Sequence, residues 1–239
     1  VIELAAGNKH KKRYFAAFAC VIAVAGAKYV FDYVINYKYL IDVPYISQEG
    51  SAATGCELVS TAMVLDYYGC DASVEDVINR TPASGLTQTQ NGLVGDSPSE
   101  YFIGDPRSSH GFGCYAPVVV SVMNSFFEGQ KSKKAVDLTG CGIDELISLY
   151  IEKDNPVLIW ATSNMKEPKK GDTWILKNTG GTFQWISGEH CLVLVGYDKN
   201  NYYFNDPYAS NGIIPFEKGL VAERYGALGK QAVAVQDAA

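Results

Sequence analysis

Val43-Pro-Tyr-Ile-Ser-Gln48-Glu-Gly-Ser-Ala-Ala-Thr54-Gly-Cys56-Glu57-Leu-Val-Ser-Thr-Ala-Met63 decides how this chain is read. It predicts an extended segment, a small-residue loop and then a helix. Thr54 as N-cap with Glu57 three residues on is the capping-box pattern ahead of an apolar run. That places Cys56 in the first helical turn. Unpaired N–H groups and the helix dipole favour a thiolate there and lower its pKa. Cys56 is therefore a candidate nucleophile. The competing reading is a small buried core residue, which is what most free cysteines are.

Working outward, Tyr39 to Ser47 reads as extended. The helix runs to about Tyr68, with one buried face carrying Leu58, Ala62 and Leu65, and Gly69 as its stop. Ser73 with Asp76 starts a second short helix. Thr81 to Tyr115 is long, polar and rich in Gly, Pro, Ser and Asn. It reads as a loop that packs on the domain through Tyr101, Phe102 and Phe112 and walls a cleft. Asp105 and His110 within it are loop residues. Ala116–Phe127 and Ile143–Lys153 are predicted helices, with a solvated basic turn at Lys131–Lys134 between them. Pro156–Ala161 is a buried strand. Thr173–Lys177 and Phe183–Ser187 flank Asn178-Thr-Gly-Gly181 as a hairpin. Cys191–Tyr197 and Tyr202–Asn205 form a second hairpin. Phe216–Leu228 reads as a helix and Gln231–Val235 as a last strand. Helices first and antiparallel strands later is an α+β pattern.

The 239 residues are ample for a full core. A net charge of −6 gives no support to nucleic-acid or anionic-membrane binding. The six cysteines form no C-x-x-C pair, and His10, His110 and His190 are far apart, so no structural zinc site is expected. No cofactor motif is present, and the P-loop pattern is absent.

Residues 1–38 are read as a signal peptide or membrane anchor with a short spacer, and residues 39–239 as the functional domain. Lys9–Arg13 is basic, Tyr14–Ala27 is apolar, and Ala25-Gly-Ala27 resembles a cleavage site. The run is short against the roughly 20 apolar residues of a membrane span. The alternatives are an uncleaved anchor and a buried core helix. Export implies an extracytoplasmic location, secreted or at the bacterial cell surface. There Cys70, Cys114, Cys141 and Cys191 could form two disulfides, although Cys191 opens an apolar strand and reads better as a packed thiol.

His190 follows Cys56 by 134 positions. Cysteine and histidine in papain-like peptidases are about 130–150 positions apart. Asp206 ends the strand that pairs with the one carrying His190, so its carboxylate can orient the imidazole. Asn205 competes for that role, and alternation sends the two side chains to opposite faces. Gln48 lies eight residues before Cys56 and could donate to an oxyanion together with the Cys56 N–H. Each residue also has a plainer reading: polar loop for Gln48, turn-former for Asp206, structural strand histidine for His190.

Val43–Gln48, Thr54–Glu57, Tyr67–Gly69, Gly104–Pro106, Gly188–His190 with Val195–Asp198, Asn205–Pro207 and Leu228–Val233 together resemble the freestanding bacterial members of cysteine-peptidase family thirty-nine. The resemblance covers most of Tyr39 to Val235. It implies a papain-like fold, with Cys56 as nucleophile, His190 as base, Asp206 as orienter and Gln48 as oxyanion donor. It also implies a peptide or protein substrate. The family's founding members sit on an ABC transporter and cut after a double glycine. This chain is too short to include a transporter, so that specificity does not follow. Other readings on the same fold are a transpeptidase, an amidase or a cell-wall hydrolase. From another class, the rival is a non-catalytic peptide-binding module.

Overall fold

The computed structural model describes residues 37–128, 132–208 and 212–238. The N-terminal basic cluster, the apolar run after it and Cys20 lie outside the described residues. Among those described, no helix is long and apolar enough to cross a membrane. Tyr39–Ala239 forms one unit.

In chain order this unit comprises β1 (Tyr39–Leu40), α1 (Cys56–Tyr67) and α2 (Val74–Arg80). Then come β2 (Ala83–Ser84), β3 (Thr87–Thr89), β4 (Gly92–Gly95), β5 (Phe102–Ile103) and α3 (Ala116–Phe127). β6 (Lys133–Asp137), α4 (Ile143–Leu149), β7 (Val157–Thr162), β8 (Lys169–Leu176) and β9 (Thr182–Ser187) follow. β10 (Glu189–Tyr197), β11 (Asn201–Asn205), β12 (Ile213–Glu217), α5 (Lys218–Ala227) and β13 (Ala232–Asp237) complete it.

The main sheet runs β12-β11-β10-β7-β13-β6, with β1 also paired to β10. All its pairings are antiparallel. β7 is buried along its whole length, as an apolar central strand should be. α1 packs against β10 and β7. Every residue from Cys56 to Leu65 is buried, so this helix has no solvent face over its first turns. The expected single buried stripe is replaced by burial on all sides. Polar residues survive there because each is hydrogen-bonded. Ser60 Oγ donates to the Cys191 carbonyl at 3.2 Å, and Thr61 Oγ1 to the Glu57 carbonyl at 2.7 Å. α1 ends at a positive-φ glycine, Gly69, with Cys70 N–H bonded to Leu65 O. α2 carries the Ser73–Asp76 capping box. The architecture is α+β, a helical part carrying Cys56 packed on an antiparallel sheet.

The 81–115 region departs from a plain loop. It contributes β2 to β5, and β3-β4-β8-β9 form a second, four-stranded sheet. Trp174, Trp185 and Ile103 bury a small separate core there, with Phe112, Tyr115 and Phe183 packed on it. The aromatic residues in the region are what hold it down. Lys133–Asp137 is the edge strand β6, not a solvated turn. Its Ala135 is buried, Lys134 is exposed and Lys133 is half-buried and paired with Asp237, so its charged composition conceals a strand. Ile213–Glu217 is a strand before α5, and Pro215 is accommodated because β12 is the sheet edge. All five described cysteines are free thiols, so the disulfides considered for Cys70, Cys114, Cys141 and Cys191 are not formed.

Candidate active site

Cys56 is the first residue of α1, as expected, but not by the expected cap. Gly55 is the N-cap residue and provides no side-chain bond. Thr54 instead donates to the carbonyls of Ser108, at 3.0 Å, and Asp105, at 3.4 Å. It thus ties the nucleophile loop to the 105–111 segment. Gly55 fits because a Cβ there would lie 3.0 Å from Ala52 Cβ and 3.1 Å from Pro106 Cβ. Glu57 turns inward rather than back to the helix start.

β10 presents His190, and β11 leads into Asp206. Val193 pairs with Asn205. Asp206 is one step further, level with Leu192 and so on the face that also carries His190. His190 Nε2 and Asp206 Oδ1 are 2.7 Å apart, and both residues are buried. Asp206 Oδ1 also accepts from Tyr208 N–H at 2.9 Å. Burial pushes the Asp206 carboxyl up. The His190 bond, the His190 charge and the Tyr208 N–H outweigh it and hold the group below its ordinary value. Asn205 faces the other way and donates to the Val43 carbonyl at 2.9 Å. Of the two competing residues, Asp206 is the one that meets the imidazole.

With Nε2 engaged by Asp206, Nδ1 is the nitrogen of His190 left for a thiol. Cys56 and His190 line one cleft of about 430 Å³ together with Gln48, Phe112, Trp185 and Tyr208. Gln48 is buried; its Nε2 donates to Ala53 O at 3.2 Å, and its backbone N–H to Pro207 O at 2.9 Å. The second bond couples the Gln48 loop to the Asp206–Pro207 turn. Its Nε2 has a second proton to offer. Asp105 and His110 stay on the surface segment, where Asp105 accepts from Arg107 N–H and His110 contacts Ser109.

The Cys56 thiol does not have the lowered pKa that its helix position suggested. Burial pushes it well above the ordinary value, and Glu57 and Glu189 add to that; the Cys191 N–H, 3.4 Å from Sγ, opposes them weakly. The thiol donates to Glu57 Oε2 at 3.4 Å. Cys56, Glu57 and Glu189 bring their ligand atoms within 4.8 Å of one another. Both Glu57 oxygens already accept hydrogen bonds, from Cys56 and from Cys114 N–H at 2.7 Å. Cys56 and Glu57 are thus joined by a hydrogen bond, with the Glu189 carboxyl beside them.

This carboxyl pair escaped the reading of the sequence. Two signals pointed to it: a charge, Glu57, at the head of a helix whose next eight residues are uncharged, and an acid, Glu189, immediately before the strand histidine.

Comparison with known proteins agrees with this architecture. The model of the Peptidase_C39 like family matches residues 40–233. The chain is 33% identical over 186 residues to the uncharacterized protein YvpB of Bacillus subtilis strain 168, covering 76% of this chain and 69% of that protein. A crystal structure from Bacillus anthracis, described as C39-like, superposes with a TM-score of 0.73 at 26% identity, over 84% of this chain and 98% of that one. A double glycine motif protease from an AMS/PCAT transporter, solved with its leader peptide, matches at a TM-score of 0.44 and 16% identity, over 83% and 93% of the two chains. With the family pattern spanning the whole described unit from β1 into β13, the chain belongs to the Peptidase_C39 like family.

Proposed function

We propose that this protein is a cysteine peptidase that hydrolyses peptide bonds through Cys56, His190 and Asp206, with Gln48 as oxyanion donor. The observation that carries the reading is the buried 2.7 Å His190–Asp206 bond, in a cleft that His190 shares with a cysteine at a helix N-terminus.

The thiol proton passes from Cys56 Sγ to His190 Nδ1, and Asp206 stabilises the resulting imidazolium. The thiolate attacks the peptide carbonyl carbon. Negative charge moves to the carbonyl oxygen, where Gln48 Nε2–H and the Cys56 backbone N–H donate to it. Collapse breaks the C–N bond, and the imidazolium gives its proton to the leaving amine. His190 then takes a proton from water, whose oxygen attacks the thioester. The acid leaves and the Cys56 thiol is restored. These residues perform the whole cycle without a cofactor.

A peptidyl electrophile tests the reading. Wild type labels at Cys56, detected by mass spectrometry, and His190→Ala does not; equal labelling of the two would sink the activated pair. The reading includes action outside the cytoplasm, supported by the Lys9–Ala27 pattern. Fractionation of expressing cells tests that part, and a wholly cytosolic protein would refute it.

A further inference from the structure

We propose that Glu57 and Glu189 form a proton-sharing carboxyl pair beneath Cys56, and that Glu57 is a positioning residue that holds the thiol and sets how readily it ionises. This rests on the reading of Cys56 as the nucleophile.

Three observations converge on the pair. First, it occupies a niche kept open by Gly113. A Cβ on Gly113 would fall on Glu57 Oε1 and come within 3.2 Å of Glu189 Oε2 and of Trp185 Cη2. The backbone has vacated the volume that the two carboxyl groups fill. Second, Glu57 is completely buried and bonded at both oxygens, one of them to the sulfur of Cys56. It is the side chain that orients Sγ. Third, Glu189 Oε1 is buried and has no hydrogen-bond partner among the described residues. A buried carboxyl oxygen in that condition is costly unless a proton is held there.

Among the described residues, the titratable groups facing the pair are Cys56 from α1, Cys114 and Tyr115 from the 113–115 segment, and Cys191 from β10, none of them cationic. His190 follows Glu189 on β10 and turns to the other side, towards Asp206. Among the described residues neither acid takes part in an ion pair. Glu57 is fully buried and Glu189 partly so, and their oxygens lie within 4.8 Å of each other. Two carboxylates this close resist ionising together, so the pair gives up its last proton only as the pH rises through neutrality. Burial pushes Glu57 up to about 7, and burial together with Glu57 pushes Glu189 well above its ordinary value.

The direction of the Cys56–Glu57 hydrogen bond follows from that proton. With Glu57 ionised, the thiol S–H donates to the carboxylate and the proton stays on sulfur. With Glu57 protonated, its O–H donates to sulfur and the thiolate is stabilised. The same contact therefore restrains the nucleophile in one state and supports it in the other. No bond is made or broken beyond the transfer of protons to and from solvent.

The test is the pH profile of Cys56 alkylation by iodoacetamide, followed by mass spectrometry on the full chain. It needs no substrate. In wild type, log rate against pH should rise with a slope below one through neutrality. The pair sheds its proton in the interval where the thiol begins to ionise, and the two charges oppose each other. Glu57→Gln keeps an acceptor for Cys114 N–H and turns an N–H donor toward sulfur. It should raise the rate at neutral pH about tenfold, equivalent to one pKa unit, and restore a slope of one. Glu189→Gln leaves the Cys56–Glu57 contact in place, removes one charge and should shift the profile in the same direction. It decides the matter if Glu57→Gln does not fold. Rates and slopes equal to wild type in the variants, or slower alkylation, overturn the proposal. Peptide hydrolysis assayed in parallel separates the two readings. No hydrolysis with the alkylation shift intact removes the peptidase and leaves the pair; hydrolysis with no shift removes the pair.

Discussion

His190 and Asp206, sixteen residues apart in sequence, are joined by a buried 2.7 Å hydrogen bond, while Asn205 beside Asp206 points away to hold Val43. One residue of register thus separates a site residue from a structural one. Asp206→Asn should lower kcat by about 10²–10⁴-fold, because an amide can turn its NH2 to Nε2 and so does not enforce the Nε2–H tautomer that leaves Nδ1 free, and it carries no charge to stabilise the imidazolium. KM should change little. Asn205→Ala should instead cost stability, about 1 kcal/mol for one buried hydrogen bond, with kcat close to wild type. Steady-state kinetics and urea denaturation on both variants check the contrast. Equal kinetic losses would mean that the register argument is wrong.

Gln48 is held by its backbone N–H on Pro207 O and lines the cleft with Cys56. Gln48→Ala should reduce kcat by about 10²–10³-fold through loss of one oxyanion donor. Gln48→Glu should be worse than Ala at neutral pH, since a carboxylate repels the developing charge. A loss confined to KM would place Gln48 in substrate binding alone.

Glu57 gives stability an unusual pH dependence. Its folded-state value is about 7, above the ordinary 4.5. The folded protein therefore binds this proton more tightly than the unfolded chain. The resulting stabilisation is present at low pH and is lost as pH rises from about 4.5 towards about 7. Asp206 acts in the opposite sense: its value is lowered, so its contribution is present above the ordinary carboxylate range and lost on acidification. Glu57→Gln should flatten the first limb and leave the second. Thermal midpoints across the acid-to-neutral range read it directly. A wild type that gains stability steadily towards neutrality, with the variant parallel to it, would contradict this assignment.

Gly113 should tolerate no side chain. Gly113→Ala drives a methyl group into the Glu57 carboxyl and against Trp185, and overpacking of this kind costs about 1–3 kcal/mol. Gly69→Ala is a useful comparison, because its φ is +75° but nothing lies within 4 Å of the added Cβ. It should cost only the backbone strain, about 1 kcal/mol. Urea midpoints for the two variants separate steric conflict from conformational preference.

Much of the architecture was legible because local patterns and tertiary packing agree. α3 spans Ala116–Phe127 as read, with Pro117 at its start and apolar residues at helical spacing. Gly69 ends α1, and the Ser73–Asp76 box starts α2. The β8–β9 and β10–β11 hairpins follow from their turn residues. The failures also have physical causes. β6 is hidden by the paired lysines at its start, and β12 by a proline tolerated only at a sheet edge. β2 to β5 are two to four residues long and have no periodicity to detect. Thr54 and Glu57 fit a cap pattern, yet Thr54 bonds to carbonyls about fifty positions away, and Glu57 accepts from the Cys114 N–H and from the Cys56 thiol instead of the N-cap backbone.

The sequence by itself determined that a cysteine opens a helix, and that a histidine on one strand meets the end of the next strand far along the chain, where either Asn205 or Asp206, on opposite faces, could serve it; the assembled sheet register decided for Asp206. Helix capping and strand alternation are local rules, and they carry that much. Only the tertiary structure decided what surrounds the sulfur. Burial strips water from Cys56, and two acids from segments more than a hundred residues apart are pressed against it in a space left by a glycine. Desolvation and charge proximity are properties of the assembled interior. They reverse the ionisation that the helix terminus alone would favour.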